Sequence, residues 1–555
     1  MNTPTDPSPP PVTRHGRPRF PLITVVLGTA ALVWVRFQPE MERNFKGWLS
    51  AAIPLLVLLL NLGWFFVTPR FSRKTRLTGF AALLVIAFAA RLALRVNGTV
   101  DGTGLPRFAW KWTAREPVIP VTATPDAPGK PPGTADPQLA VAAEVTQFLG
   151  NGRSGSIADP GLSTDWTPHP PRELWRRAIG LGWSAFAVVK GRAYTQEQRG
   201  EQELVTCYDL LTGTPVWEHA DVTRFVEWQG GDGPRATPTV VDGHVYALGA
   251  TGLLNCLDAT TGKSLWQRSV LVEHQLGTNE WGVSASPLIV DPLVVVTGGR
   301  GTGPTLIAYD RKTGAPVWKS GNDSASYASP ILTSLAGRRV ILSNNARSVT
   351  ASDPVTGKIL LDHSWGSPKW PKASQPVVIG DDRIFVSAGY GMGCQMIRVE
   401  ATSDATLKSE VQWKGVSLKT QFNSAALGDG YLYGLDDGLL ACVDPETGKR
   451  VWKDGRFGSG QTLLLGDLIL VQNERGSIHL CAARPAGFQE FASIPALASK
   501  TWNHPTLAGR LLLVRNDREA ACYELPGKTP GPGAAHRKSV HPLQDARVRL
   551  GQDHP

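Results

Sequence analysis

Five aspartates in this chain of 555 residues share one local setting. Asp209, Asp258, Asp310, Asp353 and Asp444 each open a D-x-x-T-G run, and a tryptophan follows in four cases, at Trp217, Trp266, Trp318 and Trp452. Leucine takes that place in the copy after Asp353. A carboxylate beside a hydroxyl has the makings of a general base or of an oxygen ligand for a hard cation. Five near-copies cannot all be one active centre, so the unit reads as scaffold. The aspartate accepts from the N–H groups of a tight turn. Gly213, Gly262, Gly314, Gly357 and Gly448 supply the backbone freedom the turn needs, and the tryptophan packs between repeats.

Other chemistry is sparse. G-x-S-x-G, H-E-x-x-H, G-x-x-x-x-G-K-[ST] and C-x-x-C-H are all missing from the sequence. The six cysteines, 207, 256, 394, 442, 481 and 522, form no C-x-x-C pair. Five of them fall two residues before the repeat aspartate position or beside it, which suits small buried hydrophobes. Histidines 219, 244, 274, 363, 479 and 504 are scattered, as surface or turn residues are. GYGMGC (389–394) is glycine-rich, but it joins two strands with no helix behind it and so does not read as a phosphate loop. No catalytic residue and no metal site is assigned.

The elements that would position any site follow from the repeat. The first four aspartates are 49, 52 and 43 residues apart, and the step to Asp444 is 91, about two units. A degenerate copy fills the gap at 397–413, with Glu400 and Trp413 in the aspartate and tryptophan places. Two weaker units follow, at 478–491 and 520–527. Each unit reads as four short strands: ATPTVV, HVYALGA, LLNCLD and SLWQRS between 236 and 269 are one set. A period of about 40–50 residues built this way is the signature of a β-propeller blade. Eight inner hairpins can be counted. The last unit stops after its third strand, while a strand without a partner, ELWRRAI (173–179), stands at the start with Trp175 in the repeat position. Docking it on the last unit closes an all-β ring of eight blades and removes both free edges. Seven blades is the count if the last two units are misread.

Residues leading into the innermost strands must ring the central channel. They are Trp183 with Ser184, Arg235, Trp281 with Ser284, Tyr327, Gln375, Asn423, Gln461 and His504. Such a polar and aromatic ring suits a small-molecule or protein partner at the channel mouth, and equally a water-filled channel.

The formal charge of +10 belongs to the ends. Residues 171–525 hold 35 Lys+Arg and 35 Asp+Glu, against 17 and 10 in 1–170 and 5 and 2 in 526–555. A neutral repeat region argues against a nucleic-acid surface. Three apolar stretches, about 20–37, 47–68 and 77–96, read as transmembrane helices within a 20–96 anchor. Arg14, Arg17 and Arg19 precede the first, and Arg70, Arg73, Lys74 and Arg76 join the second to the third. That places both segments in the cytoplasm and the propeller outside, in the periplasm. The expected order is a cytoplasmic tail (1–19), the anchor in lipid, a proline-rich stalk and lead-in (97–170), the propeller (171–525) and a disordered basic tail (526–555).

The repeat [AC]-x-D-x-x-T-G-x-x-x-W resembles that of the quinoprotein propellers, the pyrroloquinoline quinone (PQQ) dependent alcohol and glucose dehydrogenases. Non-catalytic relatives, including the propeller lipoprotein of outer-membrane protein assembly, share it. The resemblance covers about 145–525, and QFLGNGRSGSIADPGLSTDW and PRFAWKW (106–112) are similar to segments of membrane-attached bacterial members. It implies the fold. The catalytic members that resemble it most carry adjacent cysteines against PQQ and a Glu/Asn/Asp set around calcium. This chain has no Cys-Cys pair, and no such set maps onto it. The expected function is a membrane-anchored, non-catalytic scaffold for interaction or ligand binding at the cytoplasmic membrane. The alternative is a membrane-bound PQQ- and calcium-dependent dehydrogenase of alcohols or sugars.

Overall fold

The computed structural model describes residues 19–113 and 144–528. The expectations for the N-terminal tail, the proline-rich stretch 114–137 and the tail beyond 528 lie outside them. Three apolar helices come first, α1 (Arg19–Arg36), α2 (Arg43–Val67) and α3 (Arg73–Ala93), each long and apolar enough to cross a membrane. Helix α3 stops three residues short of the expected 96. Leu94–Val96 instead opens strand β1 (Leu94–Thr99), which pairs antiparallel with β2 (Pro106–Trp110).

Eight sheets make the propeller. Blades 1 to 7 span 187–221, 239–269, 288–320, 331–364, 377–415, 426–454 and 461–495. Blade 8 takes three strands from 506–524 and its fourth from β4 (Arg172–Ala178), which pairs with Glu519–Glu524. Blade 7 gains a fifth, inner strand from β3 (Ser156–Ile157).

One register recurs between the third and fourth strands. Cys207 faces Trp217, Cys256 faces Trp266, Ala308 faces Trp318, Cys442 faces Trp452, and Cys522 faces Trp175 across the closing strand. A bulge follows each pair at the same place. The cysteines are buried and free, and all six lie on third strands, Cys394 included. In blade 5 the pair is Met396 with Trp413, seventeen residues apart rather than ten. Glu400 therefore does not take the aspartate position. It faces Lys408 along a lengthened hairpin whose turn is held by Asp404 through Thr402 and Thr406.

The repeat motif joins blades as well as closing turns. Asp258 Oδ1 accepts from the N–H groups of Thr260 and Thr261 (3.1 and 2.8 Å) and from the Thr261 hydroxyl (2.7 Å). Asp209, Asp310 and Asp353 do the same in their turns, and Asp444 does so through its two carboxylate oxygens. Where the next blade has the turn, the tryptophan lies against its glycine: Trp175 on Gly213, Trp217 on Gly262, Trp266 on Gly314, Trp318 on Gly357 and Trp413 on Gly448. Most also donate an indole N–H to the residue after that blade's aspartate, as Trp217 does to Ala259 O (3.0 Å) and Trp266 to Arg311 O (3.1 Å). The apolar core sits in these gaps between blades.

Gly262 and Gly337 share a φ of +71°, but only at Gly262 would a Cβ meet a neighbour, Trp217 at 2.5 Å. Both alanine variants bear the left-handed backbone cost of about 1–2 kcal/mol. G262A should lose at least about 1 kcal/mol more in denaturant unfolding, because the ring must shift. Equal losses would mean that the glycine serves its turn alone.

Candidate ligand cavity at the channel mouth

The channel is closed at one end by the chain before the first blade. Val145 bridges Val188, Thr146 accepts from Val240 N–H and Gly155 from Leu464 N–H, all near the far ends of inner strands. Arg153, 2% exposed, points into that floor. Its guanidinium donates to the carbonyls of Ser286 and Pro330 (both 3.0 Å) and Pro287, and to Thr239 Oγ1 (3.2 Å), while Nε reaches Gln147 Oε1 (2.7 Å). No carboxylate balances it among these contacts, and burial draws its pKa down to about 9.

The other end is roofed by the anchor. Glu42, between α1 and α2, is buried, and its carboxylate accepts from the N–H groups of Tyr390 and Gly391 at 2.7 Å each. Those residues turn the GYGMG hairpin with φ of +61° and +81°, so successive N–H groups converge into an anion nest. The glycine-rich loop thus holds an anion, and the anion is the chain's own. Arg43 N–H donates to Asp437 (2.7 Å), and its guanidinium pairs with Glu474 (2.8 Å) and Asp101 (2.9 Å). Glu474 also accepts from Gly102 N–H (2.6 Å), Ser459 N–H (3.1 Å) and the Trp502 indole (2.9 Å). One buried carboxylate of blade 7 therefore ties α2, the β1–β2 tip and the channel wall together. Nothing larger than glycine fits at 102, where a Cβ would collide with Ser459 Oγ.

Floor and roof enclose a cavity of about 470 Å³. Six of the eight expected ring residues line it: Trp183, Arg235, Trp281, Tyr327, Gln461 and His504. Gln375 and Asn423 are buried beside it instead of lining it; Asn423 turns to Leu435 O (3.4 Å). Sequence reading missed Trp502, Phe422, Tyr390, Trp370 and the anchor's Phe45 and Trp48, which complete an aromatic lining. Trp502 was within reach of a sequence signal, since it stands two residues before His504 in the same lead-in to an inner strand. The rings are mutually packed. Trp183 lies 5.1 Å from Trp502, Phe422 5.3 Å from Trp502, Trp281 5.5 Å from Tyr327, and Trp370 stacks on Tyr390 at 5.7 Å.

Several polar groups of the lining are bonded to backbone. Arg235 donates to Gly231 O (2.6 Å) and Gly233 O, and burial brings it down to about 10. His504 lies between the carbonyls of Pro505 (2.8 Å) and Thr462 (3.0 Å), and burial drops it to about 4, so the ring is neutral. Ser284 donates to Tyr327 O (2.9 Å). Burial raises the Tyr327 phenol to about 12. In these contacts no base is hydrogen-bonded to a hydroxyl or thiol.

The family of outer membrane protein assembly factor BamB matches residues 172–271 and 201–454, just over half of the chain. The chain belongs to that family. A search of the curated proteins finds no match. Among solved structures, BamB from Moraxella catarrhalis is similar at 16% identity and a TM-score of 0.46, covering 64% of this chain and 100% of its own. Quinohemoprotein alcohol dehydrogenase ADHIIG from Pseudomonas putida HK5 is similar at 14% and 0.40, covering 76% and 84%. A europium-containing methanol dehydrogenase is similar at 14% and 0.41, covering 67% and 89%.

PQQ with calcium would need oxygen ligands for the ion beside a flat slot. The cavity has aromatic walls, but no group of three or more His, Cys, Asp or Glu is placed to hold a metal among the described residues. Asp101 and Glu474, the carboxylates at the roof, are already spent on Arg43. The family's blades are here, and the residues do not fit the quinone–calcium pair.

Burial pushes the Asp437 carboxyl up to about 6; Glu42 and Asp436 add to this, and the Arg43 N–H and Lys453 oppose it. The docked anchor thus binds more protons than the released one between about pH 4 and 6. Docking weakens as pH rises through that window and is level above it. D437N keeps the acceptor for Arg43 without the charge. Its Tm should match wild type near pH 3.5, below the ordinary carboxyl range, and exceed it at pH 7; a pH-independent difference would overturn the assignment.

Proposed function

We propose that the protein is a non-catalytic binding module, fixed to the outer side of the cytoplasmic membrane, whose site is the cavity shared by anchor and propeller. The observation that carries this reading is the roof: Glu42 and Arg43 hold the anchor on the channel mouth, so the site exists only in the assembled chain. Its volume suits a small molecule, and its stacked rings suit a ligand with a flat or cyclic face. A protein partner would engage the loops around it. Orientation rests on charge. The segment 68–72, with Arg70 in it and Arg73, Lys74 and Arg76 opening α3, lies at the opposite end of the spans from the propeller.

Two measurements test the reading. Single cysteines at Val355, 76% exposed on a propeller turn, and at Lys74 report sidedness in intact spheroplasts, since the native cysteines are buried. A membrane-impermeant maleimide should label V355C and spare K74C; the reverse pattern places the propeller in the cytoplasm. The full-length chain in nanodiscs should show no saturable change in Trp fluorescence or Tm with PQQ and excess calcium. One-to-one binding would replace this reading with the dehydrogenase.

A further inference from the structure

The β1–β2 hairpin presents two unlike faces. The register pairs Leu94 with Trp110 and Val96 with Phe108, so alternation puts these four on one side. Arg95 pairs with Ala109, which places Arg95, Asn97 and Arg107 on the other. The basic side faces the propeller: Arg107 acts electrostatically on Asp517 and Lys500, in loops before and within blade 8. The apolar side has no partner among the described residues. Phe108 is 61% exposed, Val96 and Trp110 about half exposed, and Trp112, stacked on Trp110 at 4.9 Å, 70%.

The position of the hairpin says what covers it. Strand β1 begins where α3 ends, and the tip returns to the start of α2, where Trp48 donates to Thr103 O (3.2 Å) and Leu105 lies against Gly47. The hairpin therefore bridges the propeller-side ends of two membrane helices, in the layer between bilayer and propeller. Strands of this length reach about 20 Å. Cations surround it: Arg91, Arg95, Arg107 and Lys111 stand in residues 91–113 against one acid, Asp101, which Arg43 pairs.

We propose that this hairpin is an interfacial paddle, whose Val96, Phe108, Trp110 and Trp112 rest among the phospholipid headgroups while Arg91 and Lys111, at its α3 end, meet their phosphates. Indole rings favour that zone because one edge is apolar and the N–H wants water or a headgroup oxygen. Arginine and lysine reach phosphate from the same depth. The paddle sets the height of the propeller above the membrane and keeps the roof of the cavity at the bilayer surface. It rests on the helices spanning a bilayer and is independent of any ligand in the cavity.

Nitroxides on single cysteines at Phe108 and Trp112 of the full-length chain test it, with Val355 as the aqueous control and Leu56, mid-span in α2, as the lipid control. In phosphatidylglycerol/phosphatidylcholine nanodiscs, F108C and W112C should collide readily with oxygen and at least tenfold less than V355C with a water-soluble nickel chelate. In lipid-free amphipol the protection should fall. Chelate access equal to V355C would overturn the paddle. So would equal protection in nanodisc and amphipol, which would put residues 114–143 or a second copy over the face. An L56C label without lipid protection would instead sink the anchor itself, and with it the proposed location of the protein.

Discussion

Ring closure is the constraint on which the other features depend. Strand β4 completes blade 8 by pairing with Glu519–Glu524, and Trp175 then packs on Gly213 of blade 1 as each repeat tryptophan packs on the next blade. Fully buried Arg515 sews the same seam, reaching Thr195 Oγ1 and the carbonyls of Gln196 (both 2.8 Å) and Gly180 (3.0 Å) across the blade boundary. Eight blades fix the width of the channel, and closure by the start of the chain delivers residues 144–157 to its floor. Without that seam there would be neither walls to line nor a mouth to roof.

The roof is polar, and several of its charges are ion-paired. Asp436, fully buried, meets Lys419 (2.9 Å), Arg450 (3.1 Å) and Lys453 (2.7 Å), and Arg450 and Lys419 also reach Glu40 in the α1–α2 loop. Buried ion pairs return little net stability because each charge gives up its hydration. They do penalise wrong registers heavily, since a misplaced anchor would leave Glu42 or Glu474 buried without a donor. The network defines where the anchor sits more than how strongly it is held.

Much of the fold was legible because blades are local and repeated. The D-x-x-T-G turn, the alternating strands and the orphan strand at 173–179 each carry their own signal in a few residues. The partnership of tryptophan with the next blade's glycine explains two of the irregular units, while blade 6 keeps Trp452 beside blade 7, which lacks the turn, and donates its indole N–H to Arg484 O (2.9 Å). Blade 4 has Leu361 where others have tryptophan, and blade 5, its neighbour, lacks the Thr-Gly turn that a tryptophan would cover. Blade 7 likewise has Ala492 facing blade 8, which has no such turn. The roof and floor were not legible. Glu42 meets Gly391 across 349 residues and Arg153 meets Pro330 across 177, and no periodicity links such pairs. The channel ring was found in part, because counting back from each inner strand gives its neighbourhood without the direction of each side chain.

The closing strand also has a history in time. During synthesis β4 emerges first, and its partner Glu519–Glu524 follows about 340 residues later. At about 5–20 residues per second, that is a wait of roughly 20–70 s with an unpaired edge. A strand exposed that long invites pairing with other chains. The sequence of β4, RELWRRA, sets Arg172, Glu173, Arg176 and Arg177 around two apolar residues that end up buried. Four charges in seven residues make a poor seed for aggregation, and Glu524 and Glu519 are waiting for two of them, Arg172 and Arg176. The strand stays soluble until the last blade arrives with matching acids.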